Sequence, residues 1–249
     1  MAKEKMTGLL VNGSVRTAGV TFYTKKGKTI MRAATSNQPR RNSRNQFVAR
    51  QRMKQTTALW SALKGTEPMF SGGKSAYGRF CTLASTLPVV FTPRQGEYAT
   101  ATLLIPGMPV SDGTLPSVKQ NLDRVDGTSA LTTDLKVNVL GRNEELRIYC
   151  LRQTEENGTP QLRVSYASVP RRGEGSVGGN TYQVLTQADG TLALAGTCFA
   201  DDNTGWALMR VDGDRCSSQT VVTRCRRYEA FTTEEAMKRS AESYGGLTD

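Results

Sequence analysis

From Val89 to about Arg224 the chain is a succession of short apolar runs, many of them alternating with polar residues and closed by turn residues. VVFT, YATATLLI, LKVNVL, ELRIYCLRQ, PQLRVSYASV, TYQVLTQ, TLALAGTCF, GWALMRV and QTVVTRC follow one another, with Asn157-Gly158, Asp189-Gly190 and Asp212-Gly213 among the punctuation. Alternation with period two turns one side of a run to a core and the other to water, and glycine supplies the positive φ of tight hairpins. Runs at this spacing predict an immunoglobulin-like antiparallel β-sandwich over 88–226. Two hairpins stand out, 145–153 with 161–169 through ENGTP and 181–187 with 191–199 through Ala188-Asp189-Gly190. Trp206 is expected to anchor the core. After Val169, the glycine-rich and basic PRRGEGSVGGN is expected to form a mobile surface loop.

The chain ahead of these runs is set apart by charge. Residues 1–60 hold thirteen Lys and Arg against Glu4 alone, in a chain whose net charge is +11, so everything beyond them is close to neutral. Residues 15–24 and 29–34 are β-branched and aromatic runs on either side of Lys25-Lys26-Gly27-Lys28, which predicts a two-stranded hairpin with a lysine-rich tip. A loop with Pro39, Arg40 and Arg41 follows, and Ser43 with Gln46 has the spacing of a capping box. From Arg44 to Lys64 there is no Pro or Gly; Ala49, Met53, Thr56, Trp60 and Leu63 recur at the spacing of one helix face, and Gly65 stops it. Trp60 is expected to seat this helix against the hairpin or against a second short helix within 75–86. Near the C-terminus, Thr232-x-x-Glu235 predicts the cap of a last helix, with Lys238-Arg239 later, as the helix dipole favours. The predicted class is α+β, mainly β: an N-terminal β-hairpin plus helices (1–87), the sandwich (88–226), and a short C-terminal helix and tail (227–249).

The chain contains no histidine, which removes Ser-His-Asp and Cys-His catalysis, HExxH metal sites and the usual general base at neutral pH. Its five cysteines are scattered and form no Cys-x-x-Cys pair, so reduced thiols are expected in place of a disulfide framework or a zinc site. Glu144-Glu145, Glu155-Glu156 and Asp201-Asp202 fall in turns, where charge is usually solvated. Gly73-Lys74-Ser75 fails as a phosphate loop because Pro68 stands where its first glycine belongs. A non-enzymatic protein without cofactor or metal is therefore expected. No apolar run approaches the roughly 20 residues that span a bilayer, and no secretory signal is read, so the expected setting is the cytoplasm or a virion.

What remains is the basic arm. Lys25, Lys26, Lys28, Arg32, Arg40, Arg41, Arg44, Arg50 and Arg52 are the candidate contacts to a partner. That partner is a protein of an assembly, a second copy of the chain included, or nucleic acid bound without regard to sequence; no membrane is expected. Against this, Arg44, Arg50 and Arg52 fall largely off the apolar stripe, where a merely solvated face would also put them.

The run G-V-x-F-Y-x-x-x-G-K-x-x-x-R from Gly19 to Arg32, then Ser36-Asn37-Gln38-Pro39-Arg40 and a Gln/Arg-rich helix with Trp60, resembles an uncharacterised family found in phage or mobile-element regions of gut-type bacteria. Ala76-Tyr77-Gly78-Arg79-Phe80 and the stretch from Trp206 to Val222 are similar again. Arg40-Arg41-x-x-Arg44 and the 170–180 segment depart from it. The resemblance implies a structural or assembly role in a phage-like particle, with no assigned catalytic residues.

Overall fold

A computed structural model of the chain describes residues 14–17, 20–25, 28–33, 42–66, 70, 75–93, 103–156 and 159–247. The chain divides into two compact units, Met1–Asn42 and Ser43–Leu247. In the second unit the helices and the sheets share one core.

The N-terminal unit holds β1 (Ser14–Thr17), β2 (Val20–Lys25) and β3 (Lys28–Ala33), antiparallel in the order β1-β2-β3. Thr17 pairs with Val20 and Lys25 with Lys28. The hairpin expected around the lysines is present as β2 and β3, but the run read as its first strand is two strands. In the sequence Ala18 and Gly19 stand between the two strands.

In the second unit α1 (Arg44–Leu63) and α2 (Ala76–Ala84) come first. Then follow β4 (Pro109–Ser111), β5 (Gln120–Val125), β6 (Thr128–Lys136), β7 (Glu145–Glu156), β8 (Thr159–Ser168) and β9 (Gly173–Val177). The chain continues through β10 (Asn180–Thr186), β11 (Thr191–Ala195), β12 (Thr204–Asp212), β13 (Arg215–Cys216), β14 (Gln219–Thr220) and β15 (Val222–Thr223) to α3 (Glu234–Ser243). One sheet runs β5-β6-β11-β10-β9 and a second β13-β12-β7-β8 with β15 also on β12; β14 pairs with β4. All pairings between these strands are antiparallel, so the fold is α+β, mainly β, and sandwich-like.

The sandwich carries a third layer. Ile148 and Cys150 of β7 and Trp206 and Leu208 of β12 pack on the five-stranded sheet through Leu131, Leu194 and Phe199. Their neighbours Tyr149, Leu151, Ala207 and Met209 face the other way and pack on Leu59 and Leu63 of α1 and Phe80 and Ala84 of α2. A strand covered on both sides cannot alternate, and β12 is buried at every position from Thr204 to Val211. Trp206 is the expected anchor: it is fully buried, lies 4.6 Å from Phe199, and its Nε1 donates to Thr204 Oγ1 at 3.1 Å.

Helix α1 runs where expected, but its buried face is Phe47, Gln51, Gln55, Thr56, Leu59 and Leu63, while Ala49 and Met53 point to solvent. The stripe was displaced because two of the buried residues are glutamines. Gln55 earns its place by pairing a strandless buried connector: its Nε2 donates to Pro88 O at 3.0 Å and its Oε1 accepts from Val90 N at 2.9 Å. VVFT is this connector and no strand; Phe91 N donates to Phe231 O at 2.8 Å. Trp60, half-buried, seats α1 against α2, with its ring 5.3 Å from Phe80 and 5.6 Å from Tyr77.

Smaller corrections follow the same logic. Ser43 occupies the N-cap of α1 without a side-chain bond, so no capping box forms. Thr233, not Thr232, caps α3 by accepting from Ala236 N at 3.1 Å. Helix α3 docks through Met237 and Ala241 against Phe47, Val89 and Phe91. LKVNVL and TLALAGTCF each leave their strand for a short 3-10 turn, at Val137–Val139 and Thr197–Ala200. Of YATATLLI only residues 103–105 are described, buried or half-buried and outside any strand; Leu103 N and Leu104 N donate to Gln153 Oε1 at 2.7 and 3.2 Å. The β5–β6 hairpin, closed by Asp126 (φ 49°) and Gly127 (φ 78°), was not anticipated from the sequence. PRRGEGSVGGN is not a free loop; it contains β9, hairpinned onto β10. Gly175 of β9 lies under the Tyr182 ring, where a Cβ would stand 2.5 Å from the ring carbon, so the glycine is needed for that packing. Among the described residues no helix is long and apolar enough to cross a membrane.

Candidate partner-binding surface

The register of the three-stranded ribbon sorts its charges. Arg16 pairs with Thr21 and Thr21 with Arg32; Ser14 pairs with Tyr23 and Tyr23 with Ile30; Lys25 pairs with Lys28. Residues paired across a ladder share a face, and positions two apart on a strand return to it. Arg16, Lys25, Lys28 and Arg32 therefore occupy one face together with Tyr23. Val15, Val20, Phe22, Met31 and Ala33 belong to the other, which holds no charged residue, and Met31 there is 69% exposed. The strands contain no Asp or Glu. The register sets Lys25 directly opposite Lys28.

Of the nine expected contacts, Lys25, Lys28 and Arg32 thus lie together on this face. Lys26, Arg40 and Arg41 lie outside the described residues. Arg44, Arg50 and Arg52 belong to the second unit and do not converge: at about 100° per residue, Arg50 and Arg52 point about 160° apart around α1. They also have work within the fold. Arg44 forms an ion pair with Glu234 at the start of α3, and Arg52 donates to the Ser85 carbonyl at the end of α2. Nearby, Lys54 Nζ donates to Thr92 Oγ1 and to Tyr244 OH, each at 3.2 Å. Arg16 and Tyr23 are the members of the basic face that the sequence reading did not single out; strand parity would have found them once the break between β1 and β2 was recognised.

In the second unit several thiols and carboxylates are held by burial or by partners. Burial pushes the Cys150 thiol up to about 12 and that of Cys198 to about 11, and raises Cys216 as well, so these thiols are protonated near neutral pH. The Tyr182 hydroxyl is likewise raised to about 12 by burial. Glu144 is held by Arg210 Nη2 at 2.9 and 2.8 Å. Hydrogen bonds from Arg147 and then Ser168 hold the Glu145 carboxyl below its usual range. Asp201 accepts from Asn203 N at 2.8 Å in a turn, as expected for a solvated carboxylate. All five cysteines are free. Among the described residues no three His, Cys, Asp or Glu side chains come together in a way that could hold a metal ion.

Set against known proteins, the chain matches no family model, no curated protein and no solved structure.

Proposed function

We propose that this chain is a non-enzymatic structural or assembly protein, of a phage-like particle or mobile element, that docks onto an acidic protein surface through the basic face of its N-terminal ribbon. The observation that carries the reading is the segregation of charge: residues 1–42 hold nine Lys and Arg against Glu4 alone, and the paired strands put four of these cations on one face. Charge concentrated this way recognises an anionic surface and steers approach to it. The particle setting rests on the family resemblance of the Gly19–Arg32 run.

A second reading, sequence-independent nucleic-acid binding, is favoured by Tyr23. It shares the face with the cations, and surfaces that follow single strands combine cations with aromatic rings on which bases stack. The test replaces Arg16, Lys25, Lys28 and Arg32 by Gln in the full chain. Assembly is followed by sedimentation, and binding to duplex and single strands by fluorescence anisotropy over a salt series. Loss of assembly with weak nucleic-acid binding throughout supports docking. Tight, salt-steep nucleic-acid binding lost in the variant supports the second reading, and retention of both activities overturns the assignment of the face.

A further inference from the structure

A cavity of about 300 Å³ lies beneath the segment joining β6 to β7, far in sequence from the ribbon. Its floor is apolar: Leu146, Val169 and Leu192 are buried core residues, and Leu140 is half-buried beside them. Two carboxylates reach its wall, but both are already neutralised. Glu144 takes both its oxygens to Arg210 Nη2, and Glu145 is held by Arg147 at 3.2 and 3.3 Å and by Ser168.

The cations of the wall are not neutralised. Arg171, from the basic stretch after Val169, donates through Nη2 to the Gly141 and Arg142 carbonyls at 3.2 and 3.1 Å, which fixes the guanidinium in place and leaves its other donors available. Arg142 is exposed, and its side chain has no hydrogen bond or ion pair among the described residues. The cavity thus combines a greasy floor with uncompensated positive charge, one of the two guanidiniums preorganised. Small-molecule sites are built in this way, mostly apolar with a few polar groups that fix orientation, and 300 Å³ is at the small end of their range.

We propose that this cavity is a binding site for a small amphipathic carboxylic acid, with the apolar body on the Leu140, Leu146, Val169 and Leu192 floor and the carboxylate between Arg142 and Arg171. A planar carboxylate matches the guanidinium fork. The neutralised Glu144 and Glu145 do not repel it.

The test titrates the full chain with octanoate, octanol and octylammonium by calorimetry, and maps the site by amide chemical shifts. Octanoate should bind saturably, octanol more weakly and octylammonium least, with shifts confined to residues 137–146, 169–171 and 192. Arg142→Gln, an exposed change that leaves the fold intact, should weaken octanoate about tenfold, the loss of one charge-assisted hydrogen bond, and leave octanol unchanged. Equal affinity for octanoate and octanol, indifference of octanoate to Arg142→Gln, shifts elsewhere in the protein, or no saturable binding would each overturn the proposal.

Discussion

The N-terminal ribbon and the body use the same residue types to opposite ends. In the body, five arginines are taken up by ion pairs, Arg210 with Glu144, Arg79 with Asp112, Arg147 with Glu145, Arg44 with Glu234 and Arg215 with Asp212, while Arg142 and Arg171 beside the cavity are in none of them. In the ribbon, no strand contains an acid to consume any. Net charge alone would treat all these arginines alike; what distinguishes the ribbon strands is that their sequences carry cations and no acid. Charge concentrated in this way suits an anionic partner.

The sharpest way to break this comparison is by truncation. Removing residues 1–42 should leave a body with cooperative thermal unfolding and the far-ultraviolet circular dichroism of its own strands and helices, because the three-layer core lies within 43–247. Extending the deletion to residue 66 removes α1 and with it Phe47, Leu59 and Leu63, and bares one face of the central sheet. That chain should lose cooperative unfolding and aggregate. Equal melts for the two truncations would show that α1 is dispensable.

Next in size is the matched pair of the body itself. The side chains of Arg210 and Glu144 are 9% and 13% exposed, so Glu144→Ala leaves a nearly buried charge without its partner. Removing one member of such a pair costs about 3–5 kcal/mol, to be read from urea denaturation. A loss below about 1 kcal/mol, the worth of a surface pair, would place Arg210 in water instead.

How much of this was legible in the sequence follows from where each side chain sits. Strands covered on one side or ended by a glycine turn announce themselves, as β10 and β11 did around Asp189-Gly190. Helix α1 was legible in its length but not in its face, since a buried Gln55 that pairs Pro88 and Val90 looks solvent-exposed to any reading of hydrophobic period. The third layer was hidden for a related reason. Its evidence is the unbroken burial of β12, and nothing local says what covers the second side. At the candidate site the excess of cations was plain, but their division into a ribbon face and a helix depended on pairing partners across strands. The cavity beside Arg142 could not be read at all, because its floor comes from β7, β11 and the residue after β8.

Gln55 gives a smaller effect of the same kind. Gln55→Leu keeps the size of the side chain but strands the buried Val90 N–H and removes the bond to the Pro88 carbonyl, which should cost about 2 kcal/mol. Gln55→Glu should recover little, because a carboxylate accepts from Val90 but cannot donate to Pro88. Stability of both variants by chemical denaturation decides whether the connector depends on this bridge.

Titration probes the body without mutation. A thiol raised by burial contributes stability in full below the unfolded thiol value of about 8.5, and this stability drains away as pH rises toward the folded values of about 12 for Cys150 and about 11 for Cys198. The melting temperature should therefore fall from about pH 8.5 upward, and Cys150→Ala should flatten that fall even if it lowers the plateau. At the acid end Glu145, whose folded carboxyl is held low, contributes above the unfolded carboxylate range and loses its contribution as pH falls through its lower folded value. Unchanged alkaline sensitivity in Cys150→Ala would mean that its thiol is not the group responsible.

The smallest expected effect is also the one that most sharpens the contrast between the regions. Arg44, exposed and paired with Glu234, should cost under about 1 kcal/mol when changed to Gln, as surface pairs do. Changing Arg44, Arg50 and Arg52 together removes as much as three units of charge from α1, yet these residues do not share a face. If the ribbon alone meets a polyanion, the triple change should move the salt dependence of binding by less than one contact, a log-log slope of about 0.7–0.9. Changing Arg16, Lys25, Lys28 and Arg32 should lower the same slope by about 2.8 to 3.6. Net charge as the sole determinant predicts nearly equal losses, since three and four cations are removed. Heparin or single-stranded DNA titrated at several salt concentrations against both variants tells the two apart, and a fall of 2 or more in the slope for the α1 variant would return these arginines to the binding surface.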